Sequence, residues 1–187
     1  SLRAIAREAG VSAAAPYHHF DDREALLAGV AASGFRDLRD AMAGSAGPGK
    51  EPLDRLQEAG IAYVRFAADN PRLFRLMFSG LLSDRGRYPE LQEAANGAFG
   101  VLAGLLRGGG DARSPEEGGR LPGTPGRVAA GASPVALATW STVHGLAFLL
   151  VEGMVEGAPG EPSVEEVARE VTRVLGRGLA SFVEAEG

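Results

Sequence analysis

The first twenty residues decide the fold, and they read SLRAIAREAGVSAAAPYHHF (residues 1–20). Apolar side chains recur there at the spacing of one helix face, at Leu2, Ile5, Ala6 and Ala9. Gly10 is expected to end this first helix, because glycine adopts the left-handed conformation of a helix stop without a steric penalty. Val11 is expected to be buried at the corner between the first helix and the next one. Residues 1–20 therefore begin with a short helix and a tight corner.

A second short helix is predicted from about Ala13 to Phe20. Ser12 is expected to cap it by accepting a hydrogen bond from a backbone N–H. Two short helices joined by a tight turn with a glycine form a helix-turn-helix, whose second helix enters the major groove of DNA. The alternative is that residues 10–12 are only a tight corner between two short helices of a bundle, with no role in DNA binding.

The chain resembles the DNA-binding domain of the TetR (tetracycline-repressor) family over the pattern Leu2-x-x-Ile5-Ala6-x-x-Ala9-Gly10-Val11-Ser12-x4-Tyr17-x-His19-Phe20, followed by Arg23-Glu24-x-Leu26-Leu27. The resemblance implies a homodimer whose two recognition helices lie about one DNA turn apart. It also implies one further helix before Ser1, which is absent from this chain.

The same resemblance assigns the residues at the DNA. It places Arg3 near the groove, where an arginine can bind guanine with two hydrogen bonds. It makes Tyr17 a phosphate ligand, and alanines at the start of the recognition helix leave only methyl contacts with thymine. The residues expected to contact DNA are Ser1, Arg3, Ser12, Ala13, Ala14, Tyr17, His18 and Arg23. The alternatives are headpiece packing for Tyr17 and ordinary solvated side chains for Arg3 and His18.

Composition excludes several classes of protein. The 187 residues include no cysteine, so disulfides and zinc–thiolate sites are excluded. The net charge of −5 argues mildly against nucleic acid, although residues 1–20 are locally positive. No secretory signal is visible at the start, and the polar side chains within residues 135–151 predict that this apolar segment falls short of a membrane span. We expect a cytoplasmic protein.

Helical patterns continue along the chain and predict an all-α protein of about nine helices, counting the one before Ser1. A longer helix opens at Asp21–Asp22 and runs towards Met42, and a glycine-rich break follows at residues 44–49. Further helices are predicted at about 52–70, 71–78, 89–107, 134–156 and 163–185. Ser163 and Glu166 form a capping box at the start of the last helix. Residues 108–133 are expected to form a long loop without a phosphate-binding motif.

The predicted domains are a headpiece at residues 1–43 and an effector-binding and dimerisation domain at residues 50–187. Part of the second domain resembles the WHG-type C-terminal domain of a branch of the TetR family. The pattern is Trp140-x3-His144-Gly145 together with Ala62-Tyr63-x-x-Phe66-Ala67-x-x-Asn70-Pro71-x-x-Phe74-x-x-Met77-Phe78.

An effector pocket lined by apolar and aromatic groups is expected in the second domain. The candidate side chains are Tyr63, Phe66, Phe74, Met77, Phe78, Trp140, His144 and Phe148. Core packing is the alternative role for each. An imidazole among aromatic rings can hydrogen-bond a ligand, or a neighbouring backbone carbonyl instead.

The sequence therefore predicts a TetR-like regulator, a repressor that binds operator DNA as a homodimer through its last two helices (135–156 and 163–185). A small, largely apolar effector would release it. No enzymatic activity, cofactor or metal is expected, because His18 and His19 lie far from His144 and no metal-ligand pair appears. The alternatives are an all-α small-molecule-binding or enzymatic bundle with a non-functional headpiece, and a membrane-associated helical protein.

Overall fold

The computed structural model describes residues 1–47, 49–82, 87–106, 134–155 and 162–186. Within these ranges the chain forms seven α-helices, two short 3₁₀ turns and no strand, so the all-α prediction is confirmed. The helices are α1 (Leu2–Glu8), α2 (Arg23–Ser45), α3 (Pro52–Asp69), α4 (Pro71–Met77), α5 (Pro89–Leu106), α6 (Pro134–Val151) and α7 (Val164–Glu186). The 3₁₀ turns are Ala15–His18 and Gly80–Leu82. The loop predicted at residues 108–133 lies outside the described residues.

Glycines in the left-handed region end two of the helices. Gly10 has a φ of 69°, and its N–H and that of Val11 bond to the carbonyls of Arg7 and Ala6 at 3.2 and 3.0 Å. This pair of bonds is the Schellman motif, and it confirms the predicted end of α1. Gly153, with a φ of 66°, forms the same motif after α6. For this reason α6 ends at Val151, earlier than the predicted residue 156.

Side-chain caps begin two helices as the sequence predicts. The Asp22 carboxylate accepts the N–H of Ala25 at 2.8 Å and starts α2. Ser163 and Glu166 form the capping box of α7, in which each side chain accepts the other's backbone N–H at 3.3 and 2.7 Å. These bonds satisfy N–H groups that have no partner within their own helix.

The core is built around α2, which packs against α3, α4 and α5, while α3 also packs against α6 and α7. Leu38 of α2, Val64 of α3 and Phe74 of α4 are each at most 2 % exposed and belong to one continuous hydrophobic cluster. The predicted break at residues 44–49 starts later than expected, since α2 continues to Ser45. The division into two domains remains a prediction.

Helix α6 is the one described helix that is long and apolar enough to cross a membrane, by length and composition alone. It has 18 residues and a mean hydropathy of 1.5, so the expectation that this segment falls short of a span was wrong by that measure. A single such helix is weak evidence, because core helices of soluble proteins have the same properties. Here α6 packs against α3 and α7.

Candidate functional site

Residues 12–20, which we call the N-terminal turn, contain less helix than the prediction of one helix from Ala13 to Phe20. The only helical part of this segment is a 3₁₀ turn at Ala15–His18, in which Pro16 is the second residue. The Ser12 hydroxyl accepts the N–H of Ala15 at 3.2 Å, as predicted, but the residue that caps the 3₁₀ turn is Ala14, which forms no side-chain cap. Proline has no N–H and disfavours the α conformation in the residue before it, so a helix through residues 13–20 is interrupted at its start.

All eight side chains expected at the DNA are exposed to solvent: Ser1, Arg3, Ser12, Ala13, Ala14, Tyr17, His18 and Arg23. Three of them bear arginine or imidazole groups that can reach phosphates or bases. Val11, expected to be buried, is 51 % exposed, because none of the described elements packs over this corner. Of the predicted apolar stripe of α1, Leu2 and Ala6 are buried and Ile5 is 39 % exposed.

Two contacts fix the end of the N-terminal turn and the start of α2 to the body. A Cβ at Gly29 of α2 would lie 3.0 Å from the Phe20 ring, so this glycine lets the end of the turn pack closely on α2. Arg87, just before α5, donates a hydrogen bond at 2.9 Å to Asp22, which also caps α2. The Ala25 N–H, followed by the Arg87 charge, holds the pKa of Asp22 below its ordinary value.

A cavity with about 980 Å³ of empty space, part of it open to solvent, lies among α2, α3, α5, α6 and α7. We call it the body cavity. Three of the eight predicted pocket residues line it, namely Tyr63, Phe78 and Trp140. The remaining wall residues were not predicted from the sequence: Phe35, Leu38, Met42, Leu53, Leu56, Gln57, Ala59, Gly60, Ala95, Asn96, Ala98, Phe99, Leu102, Thr139, Val143, Thr172, Leu175 and Gly176.

The other five predicted pocket residues lie away from the cavity wall. Phe74 and Met77 are at most 2 % exposed and pack in the core, with Phe66 at its margin. Phe148 is 48 % exposed on the outside of α6, because its helix presents the opposite side to the core. His144 lies behind the wall, in contact with Tyr63.

A hydrogen bond of 2.8 Å joins the Tyr63 hydroxyl to Nδ1 of His144. The sequence left open a ligand or a backbone carbonyl as the partner of this imidazole, and the structure shows a side chain instead. The ring centroids of Phe78 and Trp140 lie 4.5 and 5.1 Å from the imidazole. Burial lowers the pKa of His144, so the ring is neutral near pH 7. Burial also raises the pKa of Tyr63, an effect that a hydrogen bond from the Trp140 side chain partly offsets.

Metal binding has no support in the ranges that the structure describes. No group of three His, Asp or Glu side chains is close enough there to hold an ion. The polar groups of the body cavity are hydroxyls, amides and an indole, which suit an organic ligand.

Comparisons with known proteins match both ends of the chain. The profile of bacterial regulatory proteins of the tetR family matches residues 1–30, and that of tetracyclin repressor-like C-terminal domains matches residues 56–184. A solved structure of a protein with unknown function from Rhodococcus sp. RHA1 is 32 % identical, with a TM-score of 0.68, over 95 % of this chain and 84 % of that one. The curated proteins give no significant match. Since the second profile alone spans more than half of the sequence, the chain belongs to the TetR family of transcriptional regulators.

Proposed function

We propose that the protein is a cytoplasmic, non-enzymatic repressor. It binds operator DNA as a homodimer, and a small, largely apolar effector in the body cavity releases it. The observation that carries this proposal is the pairing of an exposed N-terminal turn with a largely apolar cavity, partly open to solvent, in one helical core. Two ligand sites joined by packed helices are what an effector-controlled regulator requires.

DNA binding by the N-terminal turn and the residues on either side of it (1–23) is supported by their exposure. Arg3, Tyr17 and Arg23 are all exposed. The sequence as a whole has a net charge of −5, whereas residues 1–20 are locally positive, so we propose that attraction to phosphates comes from this end of the molecule. We propose the same eight DNA-contacting residues that the resemblance implies.

Dimerisation through α6 and α7 is supported by apolar side chains on their outer surfaces. Leu137, Phe148 and Leu149 on α6 and Val174 on α7 are between 39 and 65 % exposed. Exposed large apolar groups are found at protein–protein contacts, and a two-fold axis would bring both helices against their copies.

The effector role of the body cavity is supported by its lining. Its walls come from α2, which continues from the N-terminal turn, and from α6 and α7, which carry the proposed dimer surface. A ligand that prefers one packing of these helices would change the spacing of the two N-terminal turns and so shift the population that binds DNA.

An electrophoretic shift with the full-length protein tests the proposal, using the DNA that flanks its own gene and a scrambled duplex. We expect specific retention of the flanking DNA, with an affinity that falls as salt rises because bound phosphates release counterions. Equal binding to both duplexes, or no binding at low salt, would favour the alternative of a ligand-binding bundle with a non-functional headpiece.

A further inference from the structure

No charged side chain lines the body cavity among the residues described. Its 21 wall residues include no Asp, Glu, Lys, Arg or His. A charged molecule entering it would lose its hydration without gaining a counter-charge, a loss that greatly exceeds what apolar contact returns. The walls therefore favour uncharged ligands.

Most polar groups of the wall already have a hydrogen-bond partner within the protein. The hydroxyls of Thr139 and Thr172 each bond to the carbonyl four residues earlier, both at 2.7 Å. The amide of Gln57 donates to the carbonyl of Arg169 at 3.0 Å. The hydroxyl of Tyr63 is held in its bond to the imidazole behind the wall. The two threonine hydroxyls therefore have no donor left for a ligand, and Gln57 keeps one of its two amide hydrogens.

Asn96 of α5 is different. Its Oδ1 accepts a hydrogen bond from Nε2 of Gln92 at 3.1 Å, and its own N–H₂ group has no acceptor in the part of the chain that the structure describes. Asn96 is half-buried, and it shares the cavity wall with Phe99, one helical turn further on. An amide nitrogen can only donate, so its partner must be an acceptor.

We propose that the effector is an uncharged, mostly apolar molecule carrying a carbonyl or ether oxygen that accepts a hydrogen bond from Nδ2 of Asn96. This inference rests on the proposed effector role of the body cavity. Asn96 then determines specificity, while the aromatic and aliphatic walls supply most of the affinity. A ligand lacking the oxygen leaves the amide unpaired, and an anionic analogue has no partner for its charge.

Three probes of similar size separate these effects: acetophenone, ethylbenzene and benzoate. Trp140 is the only tryptophan of the chain and lies in the wall, so its fluorescence reports binding directly. We expect acetophenone to bind at least about a hundredfold more tightly than benzoate. In Asn96→Leu, the preference for acetophenone over ethylbenzene should fall by about three- to tenfold, the effect of one neutral hydrogen bond.

Glu93→Leu is the matched control, because Glu93 is exposed on the same helix and outside the wall. It should leave the preference unchanged. Asn96→Ala also removes the donor and adds no charge, so it repeats the test if the leucine variant fails to fold.

Benzoate binding as tight as acetophenone binding would overturn the inference, and so would an unchanged preference in both Asn96 variants. Those results leave the proposed repressor intact. If no probe binds while the operator is still retained, the inference and the effector role of the cavity both fall, and only DNA binding stands.

Discussion

Gly60 sets how closely α3 approaches α6 and α7. A Cβ at this position would lie 2.8 Å from Cγ2 of Thr172 and 3.2 Å from Cγ1 of Val143. Both neighbours are 5 % exposed and β-branched, and the Thr172 hydroxyl is bonded to Ala168, so neither can turn aside easily. We therefore expect Gly60→Ala to destabilise the protein.

The size of this effect follows from two opposing contributions. Overpacking a core costs about 1–3 kcal/mol, and replacing glycine by alanine within a helix returns about 1 kcal/mol. The net loss is about 1 kcal/mol, which lowers Tm by about 2–4 °C in a chain of this length. Gly100→Ala in α5 is the control, because a Cβ there meets no atom within 4 Å. It should raise Tm by a similar amount.

A double variant tests the cause by thermal unfolding. Thr172→Ser removes Cγ2 and keeps the hydroxyl, so it should restore most of the stability lost in Gly60→Ala. The two changes should then couple, as contacting residues do in a double-mutant cycle. If Gly60→Ala raised Tm as much as Gly100→Ala, or if Thr172→Ser gave no recovery, the close helix approach at Gly60 would not be the cause.

Three further predictions concern pH, DNA and assembly. Folding lowers the pKa of His144, so the unfolded chain binds a proton at this residue more readily and the free energy of unfolding should fall as pH drops below about 6.5. Urea unfolding should show that the loss of stability between pH 7.5 and pH 5.5 is smaller in His144→Phe than in the parent protein. An equal loss in both proteins would contradict the assignment. In operator titrations, Tyr17→Ala should weaken binding to all duplexes by a similar factor, whereas Arg3→Ala should relax preference at one base pair by about 1–3 kcal/mol. Equal losses on every site would exclude base contact by Arg3. In sedimentation, Val174→Arg should give monomers, and Leu81→Arg, at a similarly exposed position away from α6 and α7, should not.

Local signals in the sequence predict the helix boundaries well. Gly10, Asp22 and the Ser163–Glu166 pair each satisfy backbone groups within a few residues, so the bonds they form depend on neighbours that the sequence specifies. The N-terminal turn is the local exception. Pro16 shortens the predicted recognition helix, an effect that the helical spacing of apolar residues does not reveal.

The cavity walls were harder to predict, because they depend on which helix faces meet. Leu38 of α2 falls within residues 1–43, which the sequence assigned to the headpiece; in the structure it lines the cavity. Asn96 belongs to no recognisable sequence motif, so the sequence did not identify it as a pocket residue. Phe148 follows the spacing of Trp140 and His144 along α6, but a period alone does not say which side of a helix is covered.

The central claim is that occupancy of the body cavity controls DNA binding at the N-terminal turn. Fluorescence anisotropy of a labelled operator, titrated with full-length protein with and without a saturating neutral cavity ligand, tests it most directly. The ligand should weaken operator affinity, and operator DNA should weaken ligand affinity by the same factor. A ligand that fills the cavity, as reported by Trp140, and leaves operator affinity unchanged would contradict it.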